Sequence, residues 1–506
     1  MSELLTHEEY QSIAEQLDFP TSAYIDGKAQ AGGGETFATI NPATKQEITQ
    51  ISVSDSVQVD EAVLKAREAF ADGRWAKQEP AERKAVLVQL AKLIKRNARE
   101  LAVLESLESG KPIADIETID IPEAIACLLW HAESIDKIYD QVAPAGDDVV
   151  AMIVREPIGV VACVLPWNFP ILMMAWKLGP ALAAGNSVII KPAEETSMTA
   201  LRIAELASRA GLPRGVLNVL PGPGEITGKL LGLHPDVDMV SFTGSTEVGK
   251  LFLSYAAQSN MKQVVLECGG KNPCIVMDDA ENLDVVAQHV CNASMWNMGE
   301  NCSANSRLIV HQDIAEQLLE KIQHRLREWN TGVPLDPHNQ LGAIVSEKQF
   351  DQVMGFIEQG KKEGATLAAG GTAIDTDNGF YIEPTVFTDV QPGMTIAQQE
   401  IFGPVLSIIL INSIDQAITV ANDSSYGLAA SIFTSNLKTA HKAAKAVQAG
   451  TVTVNTYGEG NHATPFGGYK QSGFGGRDNS IHAHDQFTEL KTIWIDISDS
   501  QVDALD

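Results

Sequence analysis

Residues 187–221 read SVIIKPAEETSMTALRIAELASRAGLPRGVLNVLP: an apolar run, a segment with helical spacing and a second apolar run. The same alternation extends outward on both sides. The flanking apolar runs are GVVACVLP (159–166), DMVSFTG (238–244), QVVLE (263–267) and NPCIVMD (272–278). Near-continuous Val and Ile runs that alternate with helices are typical of parallel strands buried on both faces. The sequence therefore predicts an α/β protein built on a parallel sheet.

Further segments extend this organisation in both directions. Apolar residues at helical spacing predict a helical region over 56–109 and another over 121–139, and a second α/β alternation runs from about 314 to 454. Two apolar stretches stand apart, VVAMIV (149–154) and TIWIDI (492–497). We expect two α/β lobes, with these two stretches as strands that cross to a partner subunit.

Composition excludes several classes of protein. The 506 residues include 37 Lys and Arg against 65 Asp and Glu, a formal net charge of −28. At about 100–200 residues per domain, this length predicts two to four folding units. A chain this acidic is not expected to bind nucleic acid or an anionic membrane surface, because both need a basic face.

The termini and cysteines predict a cytoplasmic protein. Residues 1–19, MSELLTHEEYQSIAEQLDF, lack the basic segment and apolar run of a secretory signal, and no apolar stretch is long enough to span a bilayer. The six cysteines form no CxxC pair, so we expect reduced thiols that are either core residues or reactive ones. They are Cys127, Cys163, Cys268, Cys274, Cys291 and Cys302.

Two strand ends could hold a nucleotide. The segment FTGSTEVG (242–249) places a turn rich in small residues between a strand and a helix, where free amides bind phosphates, although many such turns bind nothing. Gly222 and Gly224 form a similar segment that we interpret as a plain turn. Lys191 and Glu194 follow the strand SVII, at the sheet edge where α/β proteins bind ligands. An acid there would accept hydrogen bonds from a ribose and repel a 2′-phosphate.

Two other segments could carry chemistry. Glu267 precedes a Gly pair between apolar strands, and a carboxylate in an apolar site has a raised pKa and can act as a general base. Cys302 follows a Gly in a polar setting, where nearby amides would favour a thiolate nucleophile. The other five cysteines are predicted to be core residues. His482, His484 and Asp485 lack a further cluster of ligands, so we expect no metal site.

Eight motifs in this order resemble the aldehyde dehydrogenase superfamily over residues 24 to 494. They are PWNFP (166–170), KPAE (191–194), FTGST (242–246), LECGGK (266–271), GENC (299–302), EIFGP (400–404), Asn455 and PFGG (465–468). The resemblance implies that Cys302 attacks an aldehyde, and that the Asn168 amide and the Cys302 backbone amide stabilise the oxyanion. Hydride transfer would leave a thioester, and Glu267 would activate the water that hydrolyses it.

The resemblance also implies a cofactor site for NAD, with NADP disfavoured by Glu194. Lys191 and Glu194 would hold the adenosine ribose, and Ser245 would contact the pyrophosphate. The cofactor residues carried over from the motifs are Pro166, Trp167, Lys191, Glu194, Gly244, Ser245, Glu400 and Phe402. The last two would position the nicotinamide ribose and ring.

The family fold implies three parts and a homodimer or homotetramer. We expect an NAD-binding domain over 1–137 and 157–268, a catalytic domain over 269–478, and an oligomerisation segment over 138–156 and 479–506. The sequence departs from the commonest motifs at Met298, Glu300, Asn301 and Cys268, and by one extra residue near Gly475. None of these changes removes a mechanistic group, although those beside Cys302 bear on the substrate.

Within the superfamily, the chain is most similar to the γ-glutamyl-γ-aminobutyraldehyde dehydrogenase group, through IDIPEA (119–124), PFGGYKQSG (465–473) and HAHDQFTELKTIW (482–494). We expect carboxylates at the mouth of the site to attract an ammonium group, with cation–π contacts from aromatic residues. The expected substrate-pocket residues are Asp120, Glu123, Trp176, Trp296, Asn301, Tyr457 and Glu459. Betaine aldehyde and broad aliphatic or aromatic aldehydes are the alternative substrates.

Three other functions remain as alternatives. A CoA-acylating dehydrogenase generally lacks the hydrolytic carboxylate, so Glu267 argues against it. A catalytically silent structural protein on the same fold predicts loss of the nucleophile or the base, and Cys302 and Glu267 are both present. A nucleotide-binding regulator leaves Cys302 and Asn168 without a purpose.

Overall fold

The larger sheet of the protein has a parallel centre and antiparallel edges. The structure is a computed structural model, and it describes residues 4–374 and 378–498. In spatial order, the eight described strands of this sheet are Lys28–Gln30, Ala23–Ile25, Leu217–Val219, Ser187–Lys191, Val160–Val164, Met239–Gly244, Gln263–Cys268 and Gly473–Phe474. The five strands from Leu217–Val219 to Gln263–Cys268 run parallel, and their neighbours at both edges pair antiparallel.

Helices cover both faces of this sheet, as the buried apolar strands predict. Every residue of Val160–Val164 and Ser187–Lys191 is buried. The helices around this lobe are His7–Ala14, Ser56–Ala71, Pro80–Arg96, Ala98–Ser109, Ile113–Asp115, Ile121–Ser134, Pro170–Ala184, Met198–Arg209, Lys229–Leu233 and Thr246–Gln258, with π turns at Ile116–Asp120 and Gly224–Gly228 and a 3-10 turn at Glu194–Thr196.

A second lobe is built on a sheet of seven described strands. In spatial order they are Thr366–Ala369, Thr385–Thr388, Val405–Ile411, Arg307–His311, Pro273–Val276, Ala429–Phe433 and Thr451–Val454. All neighbours pair parallel except the first two strands, which are antiparallel. Its helices are Leu283–Met295, Gln312–Leu326, Glu347–Lys362, Thr395–Gln398, Ile414–Asn422 and Leu437–Ala446, with 3-10 turns at Trp296–Gly299 and Lys470–Ser472.

A separate antiparallel sheet joins the two apolar stretches that stood apart in the sequence. Thr488–Asp496 pairs along its whole length with Val149–Pro157, and Gln141–Ala143 completes the sheet. Leu490 and Trp494 leave 67% and 65% of their surface exposed there. Residues 499–506 of the predicted oligomerisation segment lie outside the described residues, as do residues 1–3 of the predicted NAD-binding domain.

The remaining elements are small. Thr36–Asn41 pairs with Gln46–Ser52, and Ala373–Ile374 pairs with Tyr381–Ile382, while His482–Gln486 forms a short helix. Strand Gly473–Phe474 returns to the first sheet although it falls within 269–478, so the lobes are not divided at a single point of the chain. None of the helices in the described part is long and apolar enough to cross a bilayer.

Candidate active site

Cys302 lies in a loop that another side chain fastens on both sides. The six cysteines are unpaired, and Cys302 alone among them is not fully buried. The Asn272 amide donates to the carbonyl of Cys302 at 2.7 Å and to that of Ala304 at 3.0 Å, and its Oδ1 accepts from the amide of Ala429. Asn272 therefore ties the cysteine loop to a strand of the second sheet.

The chain approaches Cys302 through a left-handed turn. Asn297, Met298 and Gly299 have φ angles of +53°, +55° and +70°. A Cβ at Gly299 would lie 2.1 Å from the carbonyl oxygen of Gly403, so no other residue fits there. This turn ends the helix Leu283–Met295 and directs the polar residues that follow it toward the first lobe.

Asn168 meets the same turn from the first lobe. Its amide Nδ2 donates to the carbonyl of Glu300 at 3.0 Å, and its own carbonyl accepts from the side chain of Asn297 at 3.0 Å. The helix Pro170–Ala184 begins two residues later, and buried Glu105 accepts the free amide of Ile171 at 3.0 Å. Both ends of this short segment are thereby fixed, which holds Asn168 against the cysteine loop.

Glu267 is the penultimate residue of the strand Gln263–Cys268, and within the described residues neither of its carboxylate oxygens lies within hydrogen-bonding distance of a partner. Burial raises the pKa of Glu267 well above its usual value, and Asp478 raises it further, while Lys177, Arg477 and the nearby Gly468 amide lower it. A Cβ at Gly467 would lie 2.6 Å from Oε1, so the Gly leaves room for the carboxylate. A buried carboxylate with a raised pKa accepts a proton more readily than an exposed one.

A buried ion pair stands beside this carboxylate. Lys177 Nζ lies 2.8 Å from Asp478 Oδ2, and both side chains are almost fully buried. Burial alone would lower the pKa of Lys177, but Asp478 and Glu267 outweigh burial and raise it. The lysine therefore stays charged and faces both carboxylates.

Four predicted cofactor residues lie at the edge of the first sheet where its parallel strands end. Lys191 is the last residue of its strand, and its Nζ lies 2.9 Å from Oε2 of Glu194, which is 43% exposed. Ser245 caps the helix Thr246–Gln258 by accepting the amide of Val248, and Gly244 ends the preceding strand. The amides at this helix start suit an anion such as a pyrophosphate.

The other predicted cofactor residues come from both lobes. Oε1 of Glu400 accepts the amide of Gly270 at 3.0 Å, and a Cβ at Gly269 would lie 1.8 Å from Oε2. Burial raises the pKa of Glu400 to about 7. The ring of Phe402 packs edge-on against Trp167 at 5.2 Å, next to half-buried Pro166. The Gly pair after Glu267 thus provides a cradle for Glu400 across the lobe boundary.

Residues on either side of Cys302 share one hydrogen-bond network. Asn301 Nδ2 donates to the Tyr457 hydroxyl at 2.8 Å, and Oδ1 of Asn301 accepts the backbone amide of Ser303 at 3.1 Å. The Ser303 hydroxyl lies 3.4 Å from that of Tyr457 and donates to Oε1 of Glu459. Three predicted substrate-pocket residues are brought together here, and Ser303 joins them.

The remaining predicted pocket residues are placed differently. Asp120 is fully buried in an ion pair with Lys111, so our expectation of a free carboxylate facing the mouth is wrong for this residue. Burial is the cause, because a carboxylate without solvent needs a cation. Glu123 is 52% exposed, and its Oε2 lies 3.0 Å from His462 Nε2.

The aromatic members of the predicted pocket are buried or half-buried. Trp176 packs against Phe466, with 5.2 Å between ring centroids, and Trp296 packs against Phe169 at 5.3 Å. The Lys111 ammonium lies 3.8 Å from the centroid of the Phe169 ring and 5.0 Å from that of Trp296. A cation of the protein itself therefore already occupies the faces of these two rings.

The other residues singled out in the sequence have structural surroundings. The five other cysteines are buried, and burial raises the pKa of each. His484 is buried with His131 and Ser134, whereas His482 is exposed beside Asp485. Glu300 is buried, and Oε1 accepts the amide of Val345.

Sequence reasoning missed Lys177, Asp478, Asn272, Ser303 and Lys111. Lys177 stands in the apolar helix WKLGPALA, where a lone cation signals a buried partner. Asp478 closes the tail motif that was noted only for its extra residue. Asn272 follows LECGGK and Ser303 follows GENC, and they bond side chains or carbonyls at least 30 residues away, whereas Lys111 belongs to no motif and pairs with Asp120, nine residues on.

The aldehyde dehydrogenase family model matches residues 29–493. The chain is 58% identical to aminoacetaldehyde dehydrogenase of Pseudomonas aeruginosa over 98% of this chain and 100% of the relative. Gamma-glutamyl-gamma-aminobutyraldehyde dehydrogenase from Burkholderia cenocepacia is similar in structure, with a TM-score of 0.96, 50% identity, and coverage of 98% and 100%. A mutant of the P. syringae indole-3-acetaldehyde dehydrogenase AldA, in complex with NAD+ and IAA, has a TM-score of 0.96 and 47% identity, with coverage of 97% and 100%. The predicted fold class and enzyme class are confirmed: the chain belongs to the aldehyde dehydrogenase family.

Proposed function

We propose that this enzyme oxidises an aminoaldehyde to the carboxylic acid, with NAD as oxidant and Cys302 as nucleophile. The observation that carries the proposal is the junction at Glu300, whose carbonyl accepts Asn168 while the next residues lead to Cys302. This junction holds the amide of one lobe beside the thiol loop of the other. A nucleophile and an amide donor in fixed relation are what acyl chemistry at an aldehyde carbon requires.

The first steps use Cys302 and Asn168. The Cys302 sulfur attacks the aldehyde carbon, and the resulting oxyanion is stabilised by the second N–H of the Asn168 amide and by the backbone amide of Cys302. Asn168 needs no reorganisation for this role, because Glu300 and Asn297 already orient it. Loss of one such donor typically costs about 3–4 kcal/mol in the transition state.

Glu267 completes the reaction as the base. Once the thiohemiacetal has been oxidised to a thioester, Glu267 takes a proton from water, and the hydroxide attacks the thioester carbon. The C–S bond breaks, the carboxylic acid leaves, and the proton held by Glu267 passes to the departing sulfur, which regenerates the Cys302 thiol and the Glu267 carboxylate. The buried carboxylate oxygens of Glu267 and its raised pKa support this assignment of the base.

The cofactor residues fit a dinucleotide. Lys191 and Glu194 suit the adenosine ribose, Ser245 and Gly244 the pyrophosphate, and Glu400 with Phe402, Trp167 and Pro166 the nicotinamide end. NAD bound there would supply the hydride acceptor. The charge of Glu194, whose pKa is held low by Lys191 despite burial, disfavours a 2′-phosphate. The NAD+ complex of the P. syringae neighbour supports this choice.

An aminoaldehyde is the proposed substrate class. The names of two relatives, for aminoacetaldehyde and for γ-glutamyl-γ-aminobutyraldehyde, support it. Glu459 supplies a half-buried acid beside the cysteine loop, and Glu123 supplies a more exposed one. A neutral aromatic aldehyde is the second candidate, favoured by the indole-3-acetaldehyde dehydrogenase neighbour.

We also propose that the enzyme is a cytoplasmic homo-oligomer. Exposed Leu490 and Trp494 would be covered by a second copy at the antiparallel sheet, in keeping with an oligomerisation segment over 138–156 and 479–506. Six unpaired thiols support a reducing compartment. The predicted NAD-binding and catalytic domains remain part of this proposal.

The proposal is tested by NADH formation with a panel of aldehydes. Aminoacetaldehyde, γ-aminobutyraldehyde, its γ-glutamyl form, betaine aldehyde, indole-3-acetaldehyde and pentanal are compared by kcat/KM. We expect amine-bearing aldehydes to rank first and Cys302→Ala to abolish the signal, with Cys274→Ala as the matched buried control. Turnover by Cys302→Ala would refute the mechanism, and a preference for pentanal or the indole aldehyde would refute the substrate class.

A further inference from the structure

The hydrogen bonds around Cys302 form a directed chain that ends on a carboxylate. Asn301 Nδ2 donates to the Tyr457 hydroxyl at 2.8 Å, so Tyr457 has its own hydrogen to give to Ser303 Oγ at 3.4 Å. Ser303 in turn donates to Oε1 of Glu459. Ser303 Oγ also lies 3.1 Å from Oδ1 of Asn301, so two acceptors compete for its one hydrogen. An anionic Glu459 is the stronger acceptor and cannot donate, which sets the direction of the chain.

This chain places an acid where it opposes ionisation of the nucleophile. Ser303, the residue after Cys302, bonds Glu459 directly, and Asn301, the residue before it, joins the same network through Tyr457. Burial raises the pKa of the Cys302 thiol well above its ordinary value. The acids that face it raise that pKa further, while the Ser303 amide lowers it. Those acids are Glu459, Glu400 and Glu267.

Within the described part of the chain, Glu459 forms no ion pair with a cationic side chain. Lys111 acts on it from the first lobe, but that ammonium is bound to Asp120 and lies over the Phe169 ring. Asp120 and Glu123 add further negative charge. Burial raises the pKa of Glu459, whereas the Ser303 hydroxyl favours its anion. A positively charged group in the pocket could therefore pair with Glu459, which the Ser303 hydroxyl already orients and which no lysine ammonium neutralises.

We propose that a cationic substrate activates its own nucleophile: its ammonium group pairs with Glu459, and this pairing permits Cys302 to ionise. The inference rests on the proposed function of the same site. In the step, the S–H bond breaks, the electron pair stays on sulfur and the proton leaves to bulk water. Without substrate, the new thiolate would face the anion of Glu459. With substrate bound, the ammonium offsets that anion, and the thiolate is the one uncompensated charge of the three.

The arrangement also selects the length of the substrate. Glu459 contacts Ser303, the residue after the nucleophile, so an ammonium paired with Glu459 lies only a short chain away from an aldehyde carbon at Cys302. Short ω-aminoaldehydes meet this condition. Neutral aldehydes of the same length would bind without relieving the repulsion, and so would react with an enzyme that is mostly thiol.

The test is the pH dependence of Cys302 alkylation by iodoacetamide in the full-length enzyme, without substrate. Only the thiolate reacts with iodoacetamide, so the midpoint of the curve of inactivation rate against pH reports the ionisation of Cys302, and the maximal rate does not affect it. We expect n-butylammonium chloride to lower the midpoint by about one unit, a tenfold gain in rate at a fixed pH below it, and 1-pentanol to leave it unchanged. Glu459→Gln should show the lower midpoint without the amine and no response to it, whereas the exposed matched change Glu316→Gln should behave as wild type.

A second measurement separates this inference from the proposed function. In Glu459→Gln, the kcat/KM ratio for γ-aminobutyraldehyde over pentanal should fall about tenfold relative to wild type. An unchanged thermal unfolding midpoint shows that the variant is folded, and if the variant does not fold, the effect of n-butylammonium on the wild-type enzyme decides between the outcomes. A midpoint that n-butylammonium leaves unchanged would overturn the inference although NAD-dependent activity remains. Activity that survives Cys302→Ala would instead overturn the proposed function itself.

Discussion

Asp478→Asn and Lys177→Met should move the pH dependence of thioester hydrolysis in opposite directions. The two residues place opposite charges beside Glu267: Asp478 raises the pKa of the base, and Lys177 lowers it. Glu267 acts as a base only when ionised, so the hydrolysis rate falls as pH drops through its pKa. On the plot of hydrolysis rate against pH, Asp478→Asn should therefore shift the acid limb, where the rate falls with falling pH, to lower pH. Lys177→Met should shift the same limb to higher pH.

The size of the effect follows from the burial of the pair. Lys177 Nζ and Asp478 Oδ2 are 2.8 Å apart, and almost no solvent reaches either side chain. Losing one partner of such a pair typically destabilises the fold by about 3–5 kcal/mol, because the other charge is left buried and unpaired. A buried neighbouring charge shifts a carboxyl pKa by about 1–3 units, and each unit is tenfold in rate at a fixed pH on the limb.

The assay is rapid-quench measurement of acid release from the preformed thioester between pH 5 and pH 9. The ion pair of Lys321 and Asp284 offers a control, because its two atoms are also 2.8 Å apart but the pair is exposed. Lys321→Met and Asp284→Asn should leave the limb in place, as exposed pairs contribute little. The reasoning is refuted if Asp478→Asn and Lys177→Met shift the limb in the same direction, or if neither shifts it.

Three further changes test other parts of the site. Gly269→Ala should raise KM for NAD at least tenfold with little change in the unfolding midpoint, because its Cβ would lie 1.8 Å from Glu400 Oε2; an unchanged KM contradicts the cradle. Glu194→Gln should raise kcat/KM with NADP about tenfold, since it removes the charge that opposes a 2′-phosphate, and no gain would contradict that role. Burial lowers the pKa of His484 to about 4, so the folded state resists a proton that the unfolded chain accepts below about pH 6.5. The free energy of unfolding should therefore drop by about 2 kcal/mol more between pH 7 and pH 5 in wild type than in His484→Gln, and equal drops in urea titrations would contradict this.

The sequence predicted the central fold because buried parallel strands have a simple signature. The runs at 160–164 and 187–191 are apolar throughout, and no amphipathic alternative competes with them. The edges were harder. Ala23–Ile25, Lys28–Gln30 and Gly473–Phe474 are two or three residues long, and their strand structure depends on pairing with distant segments. Local sequence carries little of that information.

The site, too, contains residues that the sequence identifies and residues whose role only the folded structure shows. Cys302, Glu267 and Asn168 stand in motifs that are unusual as sequence, and the structure brings their two lobes together at Glu300. The sequence predicted that Asp120 lies near the pocket. It could not predict that the carboxylate is ion-paired, because the pairing depends on Lys111 and on complete burial in the folded chain. Lys177 and Asp478 are 301 residues apart, so only the folded chain shows that they form a pair. The charge and pairing of a buried side chain depend on tertiary contacts, so local sequence does not predict them.

The most direct test of the mechanism is intact-protein mass spectrometry of Glu267→Gln after mixing with γ-aminobutyraldehyde and NAD. The base is lost but its shape is kept, so acylation should proceed and hydrolysis should stall. We expect one acyl group per chain, mapped to Cys302, together with one equivalent of NADH. Rapid multiple turnover without an adduct, or an acyl group on another residue, would contradict the account.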